Sequence, residues 1–340
     1  MSDKGRKVAL AALADLLRRA ERAWARQSDK EKSLSLRFSE ASFPDYHRLP
    51  MWQDKVVAHA ELRNAQRDGA IVIEWERRAG EDGQIERIVL ADADVVARIL
   101  GVTPAWAAYD LAASQLEPLA WHDWVPEILA RWRAGKQVRG MGPTRAQDVI
   151  DACRVIRECK DHARQSGDDI LIRRLSTGLF EDSKRIEALF PALDALTSES
   201  LDAPWRDVDD VLSGLGLIKV PQPVLLGGGR GAGTVELNDG TRLPIAYPYI
   251  GLAPGSIKRI DLPESMPYVL TVENLTTFYE MVRARLNGPA GLILYTAGMP
   301  SPALLRIYGL CLEQSLANER PRMHWGDIDL GGFRIASHLA

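Results

Sequence analysis

The chain has 340 residues, 46% hydrophobic and 26% charged, with a formal net charge of −3. That is room for two or three domains with ordinary cores, and it excludes a globally basic nucleic-acid binder, so any DNA contact has to come from a local patch. No apolar run reaches the roughly 18 residues of a membrane span, no signal peptide is recognised at the start, and the sparse Cys153, Cys159 and Cys311 lack CxxC spacing, which fits a reducing cytoplasm.

Residues 6–33 place Leu10, Leu13, Leu16 and Leu17 at helical spacing, which predicts an amphipathic helix. Its polar face carries Arg18, Arg19, Arg22 and Arg26, read either as a solvated face or as an arm that contacts phosphates. A helix over 52–68, a strand over 70–76, a turn at 80–83 and a return strand over 85–90 follow. A short helix over 93–100 is closed by Gly101. Helix followed by β-hairpin is the order of a winged-helix module, so 1–165 is expected to be helical and winged-helix-like. Tryptophans 106, 121, 124 and 132 recur along the helical stretch 105–165, a pattern that favours core packing over base stacking.

Residues 168–190 read as a helix-turn-helix, with Arg173, Arg174, Lys184 and Arg185 available either for phosphates or for surface ion pairs with Glu181, Asp182 and Glu187. After a helix over 208–217, residues 220–226 read as a proline-interrupted edge strand. The glycine cluster 227–233 has no GKS or GKT behind it and no following helix, so it marks a flexible wing rather than a phosphate loop, with Arg230 at its tip. Strands over 234–237 and 241–245 around Asn238-Asp239-Gly240 make a hairpin.

The last seventy residues carry the chemistry. Strands over 268–272 and 291–295 and the stretch 323–325 alternate with helices over 275–286 and 301–317, giving β-α-β-α-β and a parallel sheet with right-handed crossovers. Ligands bind beyond the carboxyl ends of such strands, where Glu273, Asp327 and Asp329 fall. Three carboxylates there call for a hard divalent cation such as magnesium or manganese. Two readings stay open: all three hold two cations, or Asp327 and Asp329 hold one while Glu273 acts as general acid or base.

The stretches VENLTTF (272–278), LYTAGMPS (294–301) and HWGDIDLGGFRI (324–335) resemble the JetD family, the Toprim-domain nuclease subunits of Wadjet plasmid defence and relatives of the topoisomerase VI A subunit. RRLSTGLFEDSKRIE (173–187) and YPYIGLAP (247–254) resemble that family's middle region. The resemblance implies an α+β multidomain protein with a winged-helix domain like that of the catabolite activator protein at 166–260. It also implies a Toprim domain with a Rossmann-like parallel sheet at 261–340. It further implies a homodimer that cuts double-stranded plasmid DNA with a divalent metal beside an SMC-kleisin complex. By position, Glu273 would be the catalytic acid or base and Asp327 and Asp329 metal ligands. Topoisomerase VI-type enzymes use a winged-helix tyrosine, and 168–190 contains none; Tyr247 and Tyr249 sit in a proline-bounded segment. Hydrolysis by activated water is therefore expected over a covalent topoisomerase reaction. A non-catalytic DNA-binding or assembly role is the further alternative. The Toprim sheet is also expected to be incomplete, since Ala340 falls inside the helix after Asp329.

Overall fold

The computed structural model describes residues 3–27, 34–76, 83–166, 168–229, 231–284, 291–317 and 320–340. Arg230, most of the 80–83 turn and the end of the 275–286 helix lie outside the described residues. The chain forms two compact units, Met1–Gln147 and Asp148–Ala340. No helix among the described residues is long and apolar enough to cross a membrane.

Unit one opens with helix α1 (Asp3–Ala25), strand β1 (Ser35–Arg37) and helices α2 (Pro44–His47) and α3 (Trp52–Arg67). Strands β2 (Ile71–Trp75) and β3 (Ile85–Leu90) form the expected antiparallel hairpin, and β1 adds to the other side of β3. Helices α4 (Ala93–Leu100), α5 (Ala105–Leu116) and α6 (Trp124–Arg133) follow. The ends of α4 are set by local chemistry. The Asp92 carboxylate accepts from the Asp94 and Val95 amides, and Gly101 closes the helix at φ 66°. The apolar face of α1 (Leu13, Leu16, Leu17) is buried with Leu62, Ile71, Ile88 and Val96. The tryptophans split: Trp132 is fully buried, whereas Trp121 is 60% exposed.

Within this core the Tyr46 hydroxyl and His59 Nε2 are 2.7 Å apart. Burial, helped by Arg63 and Lys55, pushes the imidazole down to about 4. An unfolded histidine titrates near 6.5, so between these values the unfolded chain binds more protons and stability falls as pH falls. In His59→Gln, which can still bond Tyr46, the drop in thermal midpoint between pH 7 and pH 4.5 is expected to be smaller than in wild type. An equal drop in both proteins would exclude His59 as the titrating group.

Helix α7 (Ala146–Gln165) leads into unit two. Strand β4 (Ile170–Leu171), helices α8 (Ile172–Phe180), α9 (Arg185–Ala188), α10 (Phe190–Thr197) and α11 (Val208–Gly214) and strand β5 (Leu217–Ile218) make a mostly helical part, with β4 and β5 paired in parallel. Then come β6 (Val224–Gly227), β7 (Thr234–Leu237), β8 (Arg242–Pro244), β9 (Tyr249–Leu252) and β10 (Ile257–Asp261). The terminal segment is β11 (Val269–Val272), α12 (Leu275–Ala284), β12 (Leu292–Tyr295), α13 (Pro302–Ala317), β13 (Arg322–Trp325) and α14 (Leu330–Leu339).

The main sheet runs in the order β13-β11-β12-β6-β9, and β11 pairs in parallel with both β12 and β13. A second sheet has the order β10-β7-β8. The expectation of an edge strand at 220–226 is corrected. Strand β6 lies inside the sheet, antiparallel to both β12 and β9. It can do so because Pro221 and Pro223 precede the first paired residue, Val224, and remove no donor from the ladder.

The sheet is covered on both faces, which is why β11 and β12 read as continuous apolar runs rather than alternating ones. Leu270, Val272 and Ile293 pack with Phe278 and Val282 of α12. Val269, Leu292 and Leu294 point the other way, into a cluster with Leu304, Ile307 and Cys311 of α13. The three cysteines are buried thiols; burial pushes Cys153 up to about 11 and Cys159 and Cys311 up to about 12. They are inert at neutral pH.

Candidate active site

The strand order places the site. From β11 the chain crosses through α12 to β12 on one side, then returns through α13 to β13 on the other side of β11. The direction of winding reverses between β11 and β13, and crevices at such reversals, beyond the carboxyl ends of the strands, are where open α/β sheets bind ligands. Glu273 is the residue after β11, and Asp327 and Asp329 follow β13.

Glu273 is half-buried, whereas Asp327 and Asp329 are exposed. Glu273 Oε2 accepts from the Asp327 backbone N–H at 3.1 Å, a bond that ties the two strand ends together. The backbone N–H of Glu273 in turn donates to the Trp325 carbonyl at 2.9 Å. Asp329 caps α14, its Oδ1 accepting from the Gly332 N–H at 2.8 Å. Two of the three carboxylates are thus engaged with backbone donors. Among the described residues no group of three or more His, Cys, Asp and Glu is arranged to hold a metal ion.

The structure adds His324, which sequence reasoning passed over because the six histidines are scattered. Its Nδ1 lies 2.9 Å from the Thr271 hydroxyl on the neighbouring strand, and its Nε2 is buried with no hydrogen-bond partner. A Cβ built on Gly326 would lie 2.6 Å from His324 Nε2 and 2.7 Å from Glu273 Oε2, so glycine leaves the gap between those two groups open. Burial lowers the imidazole pKa against the opposing pull of Glu273, which favours the neutral ring. Tyr295, at the end of β12, has its phenol pushed up by burial and by the Glu273 charge, which makes it a poor nucleophile. Tyr247 donates its hydroxyl to the Arg283 carbonyl at 3.2 Å, and the Tyr249 ring packs against Phe278 and Tyr279.

The first turn of α14 tolerates no bulk at one position. A Cβ on Gly332 would stand 2.0 Å from the Asp327 carbonyl oxygen, whereas one on Gly331 would meet only Asp329 Oδ1, at 3.2 Å. Gly332→Ala is expected to lower stability by about 1–3 kcal/mol through overpacking, and Gly331→Ala by less. Equal thermal midpoints for the two variants would contradict this account of the turn.

The basic residues of the helical part divide. Arg173 and Arg174 on α8 and Lys184 before α9 are exposed. Arg185 is held by the carboxylates of α7, at 2.8 Å from Asp148 and 2.5 Å from Asp151. These partners lie more than thirty residues upstream, whereas the sequence suggested Glu181, Asp182 and Glu187. Asp169 ties this part to the sheet: its carboxylate accepts from the Ser301 hydroxyl at 3.0 Å and the Ala303 N–H at 3.4 Å, at the N-terminus of α13.

Comparison with known proteins agrees with the motifs. Residues 13–197 match the family described as an uncharacterized protein conserved in bacteria, N-terminal (DUF3322), and residues 250–340 match the C-terminal domain of Wadjet protein JetD. A Wadjet protein JetD from Bacillus cereus (strain Q1) is 25% identical over 305 residues, which cover 85% of this chain and 70% of that protein.

Proposed function

The chain belongs to the JetD family, and from that premise we propose that it is the DNA-cutting subunit of a Wadjet-type plasmid-defence system. In this reading it is a metal-dependent endonuclease that hydrolyses double-stranded, closed circular DNA. It acts as a homodimer beside SMC-kleisin subunits, with Toprim chemistry at the sheet and winged-helix contacts upstream. The observation that carries the reading is the placement of Glu273 and Asp327 on either side of the winding reversal, joined by one hydrogen bond.

The carboxylates of Glu273, Asp327 and Asp329 are the donor type that a hard cation such as magnesium or manganese takes, and binding would draw them together around it, with the unpartnered His324 Nε2 on the Glu273 side. Asp327 and Asp329 would be the ligands, with Glu273 either joining them or serving as acid–base group. Bound there, a divalent cation supplies charge stabilisation and an acidified water. The chain's own contribution is to hold Glu273 half-buried at the switch point, where it can take or give a proton at the phosphodiester. Arg173, Arg174 and Lys184, which are exposed, would position the duplex through its phosphates. Hydrolysis is favoured over tyrosine-linked cleavage because residues 168–190 carry no tyrosine, while the Tyr247 hydroxyl is bonded to the Arg283 carbonyl and the Tyr249 ring is packed against Phe278 and Tyr279.

The experiment is cleavage of covalently closed and linear plasmid by this chain with its genomic neighbours, with magnesium or manganese and with chelator. Cutting of the closed form that requires metal is expected, without a protein–DNA covalent link. Metal-independent cutting, or a trapped phosphotyrosine, would overturn the hydrolytic reading.

A further inference from the structure

The strongest feature outside that site lies in unit one, whose role the nuclease reading leaves open. The C-terminal half of α1, the start of α5 and the turn after α6 enclose a cleft of about 580 Å³. Arg18, Arg22 and Arg26 line one wall and Lys136 another. The three arginines follow one another at intervals of four residues, Arg18 and Arg22 on one face of α1 and Arg26 just past its end, with its N–H still bonded to the Arg22 carbonyl at 3.2 Å, so at a rise of 1.5 Å per residue they form a row with steps of about 6 Å.

Like charges at this spacing repel one another, and little in the cleft offsets them. Arg18 reaches Asp15 only at 3.5 Å. Among the described residues no carboxylate bonds the side chains of Arg22, Arg26 or Lys136, all of which are exposed. Glu21 also lines the cleft, its Oε1 accepting from the Ala105 N–H at 3.0 Å, and among the described lining residues it sets one carboxylate against four cations. The end of the α1 dipole accounts for a cation in the last turn but not for a row reaching back to Arg18. The opposite wall is brought close by Gly135. It holds φ 70°, and a Cβ there would stand 3.1 Å from that of Ala25.

We propose that this cleft is a phosphate track, which holds consecutive phosphate groups of a phosphodiester or polyphosphate chain on Arg18, Arg22, Arg26 and Lys136. A row of cations suits a chain of charges better than a single compact anion. The aromatic rings argue against base recognition. Arg133 already lies over Trp24, 3.9 Å from the ring centre, and Trp132 is buried with its Nε1–H donated to the Met141 carbonyl. Contacts made here are therefore to backbone charge and carry no sequence preference.

The test uses the full chain with a labelled short DNA duplex, inorganic triphosphate and poly-glutamate as probes. Arg22→Glu/Arg26→Glu and the milder Arg22→Gln/Arg26→Gln are compared with the control Arg98→Glu, an exposed arginine of the same unit, and folding is checked by circular dichroism. Loss of two phosphate contacts is expected to lower the slope of log affinity against log salt by about 2. Duplex affinity should fall at least about tenfold at low salt, with Arg98→Glu unchanged. Weakened triphosphate binding with unchanged duplex binding would also support the track and assign it to a free polyphosphate. The proposal is overturned if both probes bind the folded Gln variants as they bind wild type, if Arg98→Glu loses as much, or if poly-glutamate competes as well as DNA. None of these outcomes depends on plasmid cutting, so the track and the nuclease site stand or fall separately.

Discussion

Asp327→Ala is expected to reduce metal-dependent cutting of closed circular plasmid by on the order of a hundredfold or more, the scale of a lost group that stabilises charge in the transition state. The same change should move stability by no more than about 0.5 kcal/mol, because Asp327 is exposed and the bond to Glu273 uses its backbone N–H. Glu273→Gln is the companion variant. Its amide oxygen can still accept from Asp327, so the strand ends stay tied while the carboxylate charge is lost. Asp329 needs more care, since it caps α14. Asp329→Ala should cost about 1 kcal/mol through the lost cap alone. Asp329→Ser keeps a capping oxygen but is a weak ligand, so a fall in cutting at unchanged stability would mark a role beyond the cap. Full cutting by both Asp327→Ala and Glu273→Gln would sink the site.

Arg206→Ala is expected to cost unit two about 3–5 kcal/mol, the range for removing one partner of a buried ion pair. Asp194 is fully buried on α10, and Arg206 Nε reaches its Oδ1 at 2.8 Å. The same guanidinium also donates to the Asp194 and Thr197 carbonyls at 2.8 and 3.1 Å and to the Thr197 hydroxyl at 2.6 Å. It thereby closes the C-terminus of α10 and fixes the segment that leads into α11. Calorimetry of the full chain checks this as a fall in the thermal midpoint of the transition that unfolds α10 and α11. The double change Asp194→Leu/Arg206→Met, which removes both charges together, should recover much of it. A cost under about 1 kcal/mol for Arg206→Ala would show that this clamp is not what secures α10.

Much of the last seventy residues was legible from their pattern. Strands β11 and β12 are short apolar runs because both faces of the sheet are covered. Helices α12 and α13 announce themselves by length and by Pro302 in a first turn. The hairpin of β2 and β3 and the stop at Gly101 were also readable, since each depends on a few adjacent residues. Less legible were β1, which has three residues and pairs with a strand some fifty positions on, and the interior place of β6. Local pattern carries no record of which strand a segment will pair with.

The sequence by itself determined most of the longer elements, though not the short strands β1 and β5 (the latter starting inside the helix expected over 208–217), together with the β-α-β-α-β segment and the identity of the acids that end its strands, because spacing, turn chemistry and β-branched runs act over a few residues. Only the tertiary structure decided where those acids stand. The order β13-β11-β12 puts Glu273 and Asp327 at one crevice, the Asp327 amide takes Glu273, and Asp329 is engaged in capping α14. The same holds for the cations. Arg185 is drawn into an ion pair with α7, while Arg22 and Arg26 are left exposed along a cleft. Charges with like spacing in sequence acquire different surroundings because folding brings together groups far apart along the chain, and those neighbours set each charge's solvation and partners.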